Sequence, residues 1–316
     1  MTEDQLQKHL QHYFKIIKEQ QTDPVTLYLQ GLVPTGRRSV KSLLKTAAAI
    51  LDFEGELEVM PWSIIEYQHL ASIRSTLQEQ QKSANTINLT LSALKGVMKA
   101  CFNLKLISAD QLLLLNDIKR VRGKRLPSGR SLSKQDIKKI YRACEKDKTI
   151  AGKRDQAIIT TMLASGIRRS EVVNITLDDY NTRNGQLNIQ AGKGNKQRTA
   201  YINTESRQII RKWLNVRGTE AGALFNPITK SSTIQYRKIS SQSIYGIIRQ
   251  RAEQAKIEPC RPHDLRRTFV THLLEAGIDI NTARQLAGHS DIQTTARYDL
   301  RDEKSQKRAL RRLQRL

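Results

Sequence analysis

The chain is poor in aromatic residues, in cysteine and in acidic charge, and it has no long apolar run. Phe, Trp and Tyr make up 5% of it, so any core must be built mainly from aliphatic side chains. Cysteine occurs three times, at Cys101, Cys144 and Cys260. An odd, widely spaced set offers neither a disulfide framework nor metal-ligand spacing, and it fits a reducing compartment. No apolar stretch approaches the roughly 18 residues that a membrane-spanning helix needs. No basic amphipathic stretch carries Trp or Phe on its apolar face, which argues against an anionic membrane as partner. The start, Met1-Thr2-Glu3-Asp4-Gln5, is polar and acidic, unlike a secretory signal. A soluble, cytoplasmic protein is expected.

What the chain does have is cationic charge. Lys and Arg total 54 against 30 Asp and Glu, a formal net charge of +24 over 316 residues. Solubility does not require so much charge of one sign. A polyanionic partner does, and nucleic acid is the commonest one. At 38% hydrophobic the chain can bury real cores, and its length suits about two domains.

Residues 1–22 read as a polar helical lead, loosely held. Asp23-Pro24 suits a helix start, and Pro34-Thr35-Gly36 reads as a break. A helix over about 38–53 carries Val40, Leu43, Leu44 and Ala47 on one face. Another is expected over about 61–81. A fourth starts near Ser83 with Ile87, Leu91, Leu94 and Met98 in one stripe, and a short one covers about 109–118. No strand pattern precedes residue 120, so residues 23–118 read as a small all-helical domain. Residues 119–131 then turn basic, with Gly and Pro, as an extended linker would. A purely flexible hinge does not require such charge, so Arg120, Arg122, Lys124, Arg125 and Arg130 are candidate contacts to DNA phosphates.

Beyond the linker, Ser131-Leu132-Ser133 caps a helix running to Cys144. A helix over about 153–164, a Ser165-Gly166 corner and a second helical piece to Ile175 follow. Leu187, Ile189 and Ala191 alternate as in a strand, Gly192-Lys193-Gly194-Asn195 supplies a turn, and residues 198–202 can return antiparallel. Helices are expected at about 205–217, 240–256, 263–276, 280–287 and 291–297. The fold class is therefore mostly α with a small antiparallel β-sheet: a second domain over 132–298, then a basic helical tail, 299–316, with Leu310, Leu313 and Leu316 on one side.

Five local features carry chemistry. In Gly166-Ile167-Arg168-Arg169-Ser170-Glu171, glycine allows a sharp corner, Arg168 opens the next helix, and Glu171 one turn on could orient its guanidinium. Lys193 sits between two glycines at a hairpin tip, where it could bind a phosphate or deliver a proton. In Pro262-His263-Asp264-Leu265-Arg266-Arg267-Thr268, His263 and Arg266 share one face of a helix start, where backbone amides already favour an anion. Gly288 ends a helix and His289 opens the next. Tyr298 follows nine residues later. Four of them alone have a plainer reading: a surface ion pair, an exposed loop lysine, a capping histidine, a core or surface tyrosine. A tyrosine with its ordinary pKa near 10 is also a poor nucleophile. Together the set supplies metal-free phosphoryl transfer, with arginines and histidines for the phosphate, a lysine for the leaving oxygen and a tyrosine for attack.

On these stretches, with Gly192-Lys193-Gly194-Asn195-Lys196, Ala287-Gly288-His289 and Thr294-Thr295-Ala296-Arg297-Tyr298, residues 131–298 resemble the catalytic domain of the tyrosine recombinases, the phage-type integrases. Residues 22–118 resemble the family's helical core-binding domain. The resemblance implies a mixed α/β catalytic domain that forms, with the core-binding domain, a C-shaped clamp on double-stranded DNA. It implies a 3′-phosphotyrosyl bond at Tyr298, the scissile phosphate held by Arg168, His263, Arg266 and His289, and Lys193 as general acid; Glu171 is the supporting residue that the spacing suggests for Arg168. No cofactor or metal would be needed for the chemistry. Strand exchange would pass through a four-way junction in a homo-tetramer at the nucleoid, the tail helix docking on a neighbouring subunit or on its own domain. One departure stands out: many members have His directly after the second arginine, where this chain has Arg267. A type IB topoisomerase and a non-catalytic DNA-binding protein on the same scaffold remain as other readings.

Overall fold

The computed structural model describes residues 3–123, 129–189 and 197–298, and the chain divides into two compact units, Met1–Pro127 and Ser128–Leu316. Among the described residues no helix is long and apolar enough to cross a membrane.

The first unit is helical. Its elements are α1 (Glu3–Gln20), α2 (Pro24–Gln30), α3 (Pro34–Ile50), a 3-10 turn (Trp62–Ile64), α4 (Tyr67–Glu79), α5 (Ala84–Asn103) and α6 (Ala109–Asn116). Helix α5 is its axis and packs against α2, α3, α4 and α6. Its buried stripe, Ile87, Leu91, Leu94, Val97, Met98 and Cys101, follows helical spacing. The Ser83 hydroxyl caps it by accepting the Thr86 N–H.

Three expectations change here. The lead is not loosely held: Tyr13 of α1 is 1% exposed, and its hydroxyl donates to the Met60 carbonyl at 2.7 Å. Ile16 and Ile17 pack beside it on the same core. The polar composition of α1 hid that narrow apolar stripe. Pro34 does not break the chain but opens α3 in its first turn, where the missing proline N–H has no partner to lose. The helix expected over 61–81 is two pieces. The Trp62 indole donates to the Leu57 carbonyl, and extended Glu66 caps α4, its N–H donating to His69 Nδ1 at 2.9 Å.

The basic segment after α6 is fastened to this first unit at least as far as Val121. Asn88 binds Val121 in both directions, donating to its carbonyl at 3.0 Å and accepting its N–H at 2.9 Å.

The second unit contains α7 (Lys134–Lys146), α8 (Ile150–Ser165), α9 (Arg169–Asn174), β1 (Gln186–Ile189), β2 (Arg198–Tyr201), α10 (Thr204–Arg217), α11 (Ser241–Gln254), α12 (Pro262–Glu275), α13 (Ile280–Ala287) and α14 (Ile292–Ala296). The strands pair antiparallel, from Gln186 opposite Tyr201 to Ile189 opposite Arg198. Leu187, Ile189 and Ala200 face the core. Helix α8 is sunk among α7, α10 and α12. Its buried Asp155 is satisfied by Arg154 and by Arg251 of α11, with Arg251 also donating to Asp147. A separate cluster of Val270, Leu274, Ala283 and Ala287 joins α12 to α13 and includes Tyr298.

Tyr13→Ala should lower the unfolding free energy by about 3–5 kcal/mol in urea denaturation, the usual cost of deleting a buried aromatic side chain. Exposed Lys8→Ala on the same helix should change it by less than about 0.5 kcal/mol.

Candidate active site

Gly166 ends α8 in the left-handed region, at φ +61. A Cβ there would also collide with the ring of Phe269, so the corner demands glycine for both conformation and space. The turn delivers Arg168 to the N-terminus of α9. Its backbone N–H and its guanidinium both donate to the Glu171 carboxylate, at 2.7 and 2.8 Å, and its other terminal nitrogen donates to the Gly288 carbonyl at 2.9 Å. Glu171 accepts a further bond from Arg198 at 3.0 Å. Burial works against its ionisation, but the Arg168 N–H and the two guanidiniums outweigh it and hold the carboxyl below its ordinary range.

Arg198 is a site residue that the sequence motifs do not single out. It lies on β2 with its side chain 16% exposed, and it donates to the Leu286 carbonyl at the end of α13 as well as to Glu171. Its guanidinium fills the space that a side chain at Gly288 would need. The only local signal was a basic residue at an inward position of the return strand.

Helix α12 supplies two groups. Pro262 begins it, and Asp264 caps it by accepting the Arg261 N–H at 2.8 Å. One turn of helix then puts His263 and Arg266 on one face. Arg266 is 3% exposed; one terminal nitrogen donates to the Gly166 carbonyl at 2.5 Å, and the other is buried without a partner. An unsatisfied buried donor costs about 1–3 kcal/mol, and a phosphate oxygen would relieve it. Burial, then the nearby Arg168 charge, pushes the Arg266 pKa down to about 10.

His289 follows the left-handed Gly288 and is buried, with Nδ1 2.8 Å from the Thr295 hydroxyl. If Nδ1 accepts that hydroxyl's proton, Nε2 carries the ring proton and is free to donate. Burial and then Arg266 and Arg168 push the His289 pKa down to about 3. The same causes in the same order, with Arg267 added, lower that of His263. Both imidazoles are therefore neutral near pH 7.

Tyr298 is 7% exposed. Its hydroxyl lies 3.1 Å from His263 Nε2, and its ring stacks on His289 with centroids 6.1 Å apart. The fold thus gathers Arg168, His263, Arg266, His289 and Tyr298, with Glu171 beneath them. A cavity of about 440 Å³ opens beside them, lined by Arg168, His263 and Arg266 and also by Arg169, Tyr245 and Arg261. Lys193, Lys124 and Arg125 lie outside the described residues. Arg120 and Arg122 are exposed on the first unit. Arg130 is engaged within the second, donating to Asp136 at 2.7 Å and to the Glu258 carbonyl. Among the described residues no group of three or more His, Cys, Asp or Glu could hold a metal ion.

The arrangement is a pocket of guanidiniums and neutral imidazoles around a phenol, suited to a phosphodiester. The sequence matches the phage integrase family over residues 130–304. It is 27% identical to the tyrosine recombinase XerC of Pseudomonas syringae pv. syringae over 282 residues, 89% of this chain and 91% of that one. It is 32% identical to the tyrosine recombinase XerD of Pseudomonas aeruginosa over 272 residues, 85% of this chain and 87% of that one. In fold it resembles a lambda integrase tetramer bound to a Holliday junction, with a TM-score of 0.63 at 16% identity, covering 94% of this chain and 77% of that one. The chain belongs to the phage integrase family and is a tyrosine-type site-specific DNA recombinase.

The depressed imidazole pKa values have a consequence for the DNA-free protein. Unfolding returns both histidines to about 6.5, so below that pH the unfolded chain binds more protons than the folded one. The stability contributed by neutral burial is complete above pH 6.5 and declines as pH falls toward 3. The melting temperature should drop between pH 7.5 and pH 5, and the drop should be smaller in His289→Gln.

Proposed function

We propose that Tyr298 is the nucleophile of strand cleavage. The observation that carries this reading is the Tyr298 hydroxyl 3.1 Å from His263 Nε2, within the cluster of Arg168, Arg266 and His289. As the phenol oxygen bonds to phosphorus, its proton passes to the neutral His263 ring. The bond from phosphorus to the 5′ oxygen breaks, and that oxygen takes a proton from Lys193. Arg168, Arg266 and the His289 N–H stabilise charge on the non-bridging oxygens. Reversal with a 5′ hydroxyl of a partner duplex reseals the strand. The bond energy is kept in the phosphotyrosine, so the chemistry requires no nucleotide.

Two such rounds exchange strands through a four-way junction in a homo-tetramer. The likeness to an integrase tetramer on a Holliday junction supports this assembly. The tail, 299–316, which lies outside the described residues, would dock on a neighbouring subunit. Arg120, Arg122, Lys124 and Arg125 cross phosphates, with Arg130 anchoring the far end of that segment. On this reading the protein works in the cytoplasm, at the nucleoid.

A nicked suicide substrate tests the nucleophile. Wild type should trap a covalent protein–DNA adduct, and Tyr298→Phe should bind the same DNA with no adduct. Adduct formation by that variant would sink the assignment. Lys193→Ala should slow cleavage by about 10²–10⁴-fold. A substrate with sulfur at the scissile 5′ position should restore most of the rate, because a thiol has a pKa near 8.5 and leaves without a donated proton. Equal loss on both substrates would show that Lys193 does not protonate the leaving group.

A further inference from the structure

We propose that Arg267 is a positioning residue for the attacking tyrosine, holding the face of the Tyr298 ring through its guanidinium. The inference rests on Tyr298 being the nucleophile.

Arg266 and Arg267 are adjacent on α12 and so point about 100° apart. Arg266 turns inward to the Gly166 carbonyl. Arg267 turns toward the C-terminal helices, where its Cζ lies 5.1 Å from the Tyr298 ring centroid. That is within cation–π range, and the half-buried setting strengthens such a contact.

Tyr298 needs the support. It follows α14, a helix of five residues, and a helix that short has no stability of its own. The Tyr298 N–H donates to the Thr295 carbonyl, which sets the backbone but not the ring. Beside the apolar cluster of Val270, Leu274, Ala283 and Ala287, three polar side chains meet the ring: His263 at the hydroxyl, His289 stacked on the ring, and Arg267. Two of these are neutral, leaving Arg267 as the cation against the ring. A guanidinium is drawn to the face of a phenol and drawn more strongly as the phenol gives up its proton. The contact therefore strengthens toward the transition state, which is the condition for raising the rate of the step rather than the affinity. Arginine also lays a flat group on an aromatic ring, which lysine does less well and a neutral side chain does without the charge.

The test uses the full-length protein bound at saturation to the nicked suicide substrate, with adduct formation followed in a single turnover and DNA affinity measured separately. Arg267→Met should leave the dissociation constant within about threefold while slowing adduct formation roughly 3- to 30-fold. Arg267→Lys should recover a large part of the loss. Arg267→Gln keeps a planar polar end without charge and should behave as Arg267→Met, so a folding defect confined to one variant does not decide the question. Parallel loss of rate and affinity with a shallower salt dependence would overturn the proposal in favour of a phosphate contact. Equal rates in the lysine and neutral variants, or no rate change in any, would overturn it as well. These outcomes leave the nucleophile assignment intact, since only adduct formed by Tyr298→Phe speaks against that.

Discussion

The second unit's site depends on one half-buried carboxylate. Glu171 accepts the Arg168 N–H, the Arg168 guanidinium and the Arg198 guanidinium. Without it two cations would face each other in a partly desolvated space, with nothing to fix the direction of either. With it, Arg168 is tied to α9 and to the end of α13 through Gly288, while Arg198 crosses from β2 to the same helix end. One acidic residue thus connects three elements far apart in sequence.

The balance of charge that results is deliberately incomplete. Glu171 compensates Arg168 and Arg198, but Arg266 remains buried with a terminal nitrogen unpartnered; His289 is held neutral by burial and by the cations around it, and desolvation and neighbouring arginines lower the pKa of the more exposed His263. The pocket therefore keeps an excess of positive charge. A phosphodiester would balance it, satisfy the Arg266 donor and find the His289 ring oriented by Thr295. At Arg266 and His289, which are buried, such interactions would be strengthened because the effective dielectric there is lower than in bulk solvent. Under the proposed function, a neutral His263 ring could accept the phenol's proton, which a protonated imidazole could not do.

The tyrosine is held differently from the arginines. The arginines gain precision from backbone carbonyls and a carboxylate on regular elements. Tyr298 sits after a five-residue helix and relies on side chains of α12 and of the turn after α13, and on the apolar cluster of Val270, Leu274, Ala283 and Ala287. Under the proposed function, attack and rejoining would both require the ring to meet a phosphorus in line. A group held by tertiary contacts on a short element can be placed accurately while remaining easier to move than one in mid-helix.

Much of this was legible in the residues themselves. Glycine at 166 and 288 announces left-handed helix ends, the three-residue step from His263 to Arg266 announces a shared helix face, and the stripe from Ile87 to Met98 announces a packed helix. These are local properties, set by backbone sterics and by 3.6 residues per turn. The docking of α1 through Tyr13, the partnership of Arg198 with Glu171 and the contact of Arg267 with Tyr298 were not legible. Each joins residues distant along the chain, and a lone Tyr or Arg carries no mark of what it will meet. Residue order and spacing determined which groups could serve a phosphoryl transfer. Only the tertiary structure decided which cations are compensated, which imidazoles are neutral and which way the phenol faces, because burial and distance set those energies and neither is a property of local sequence.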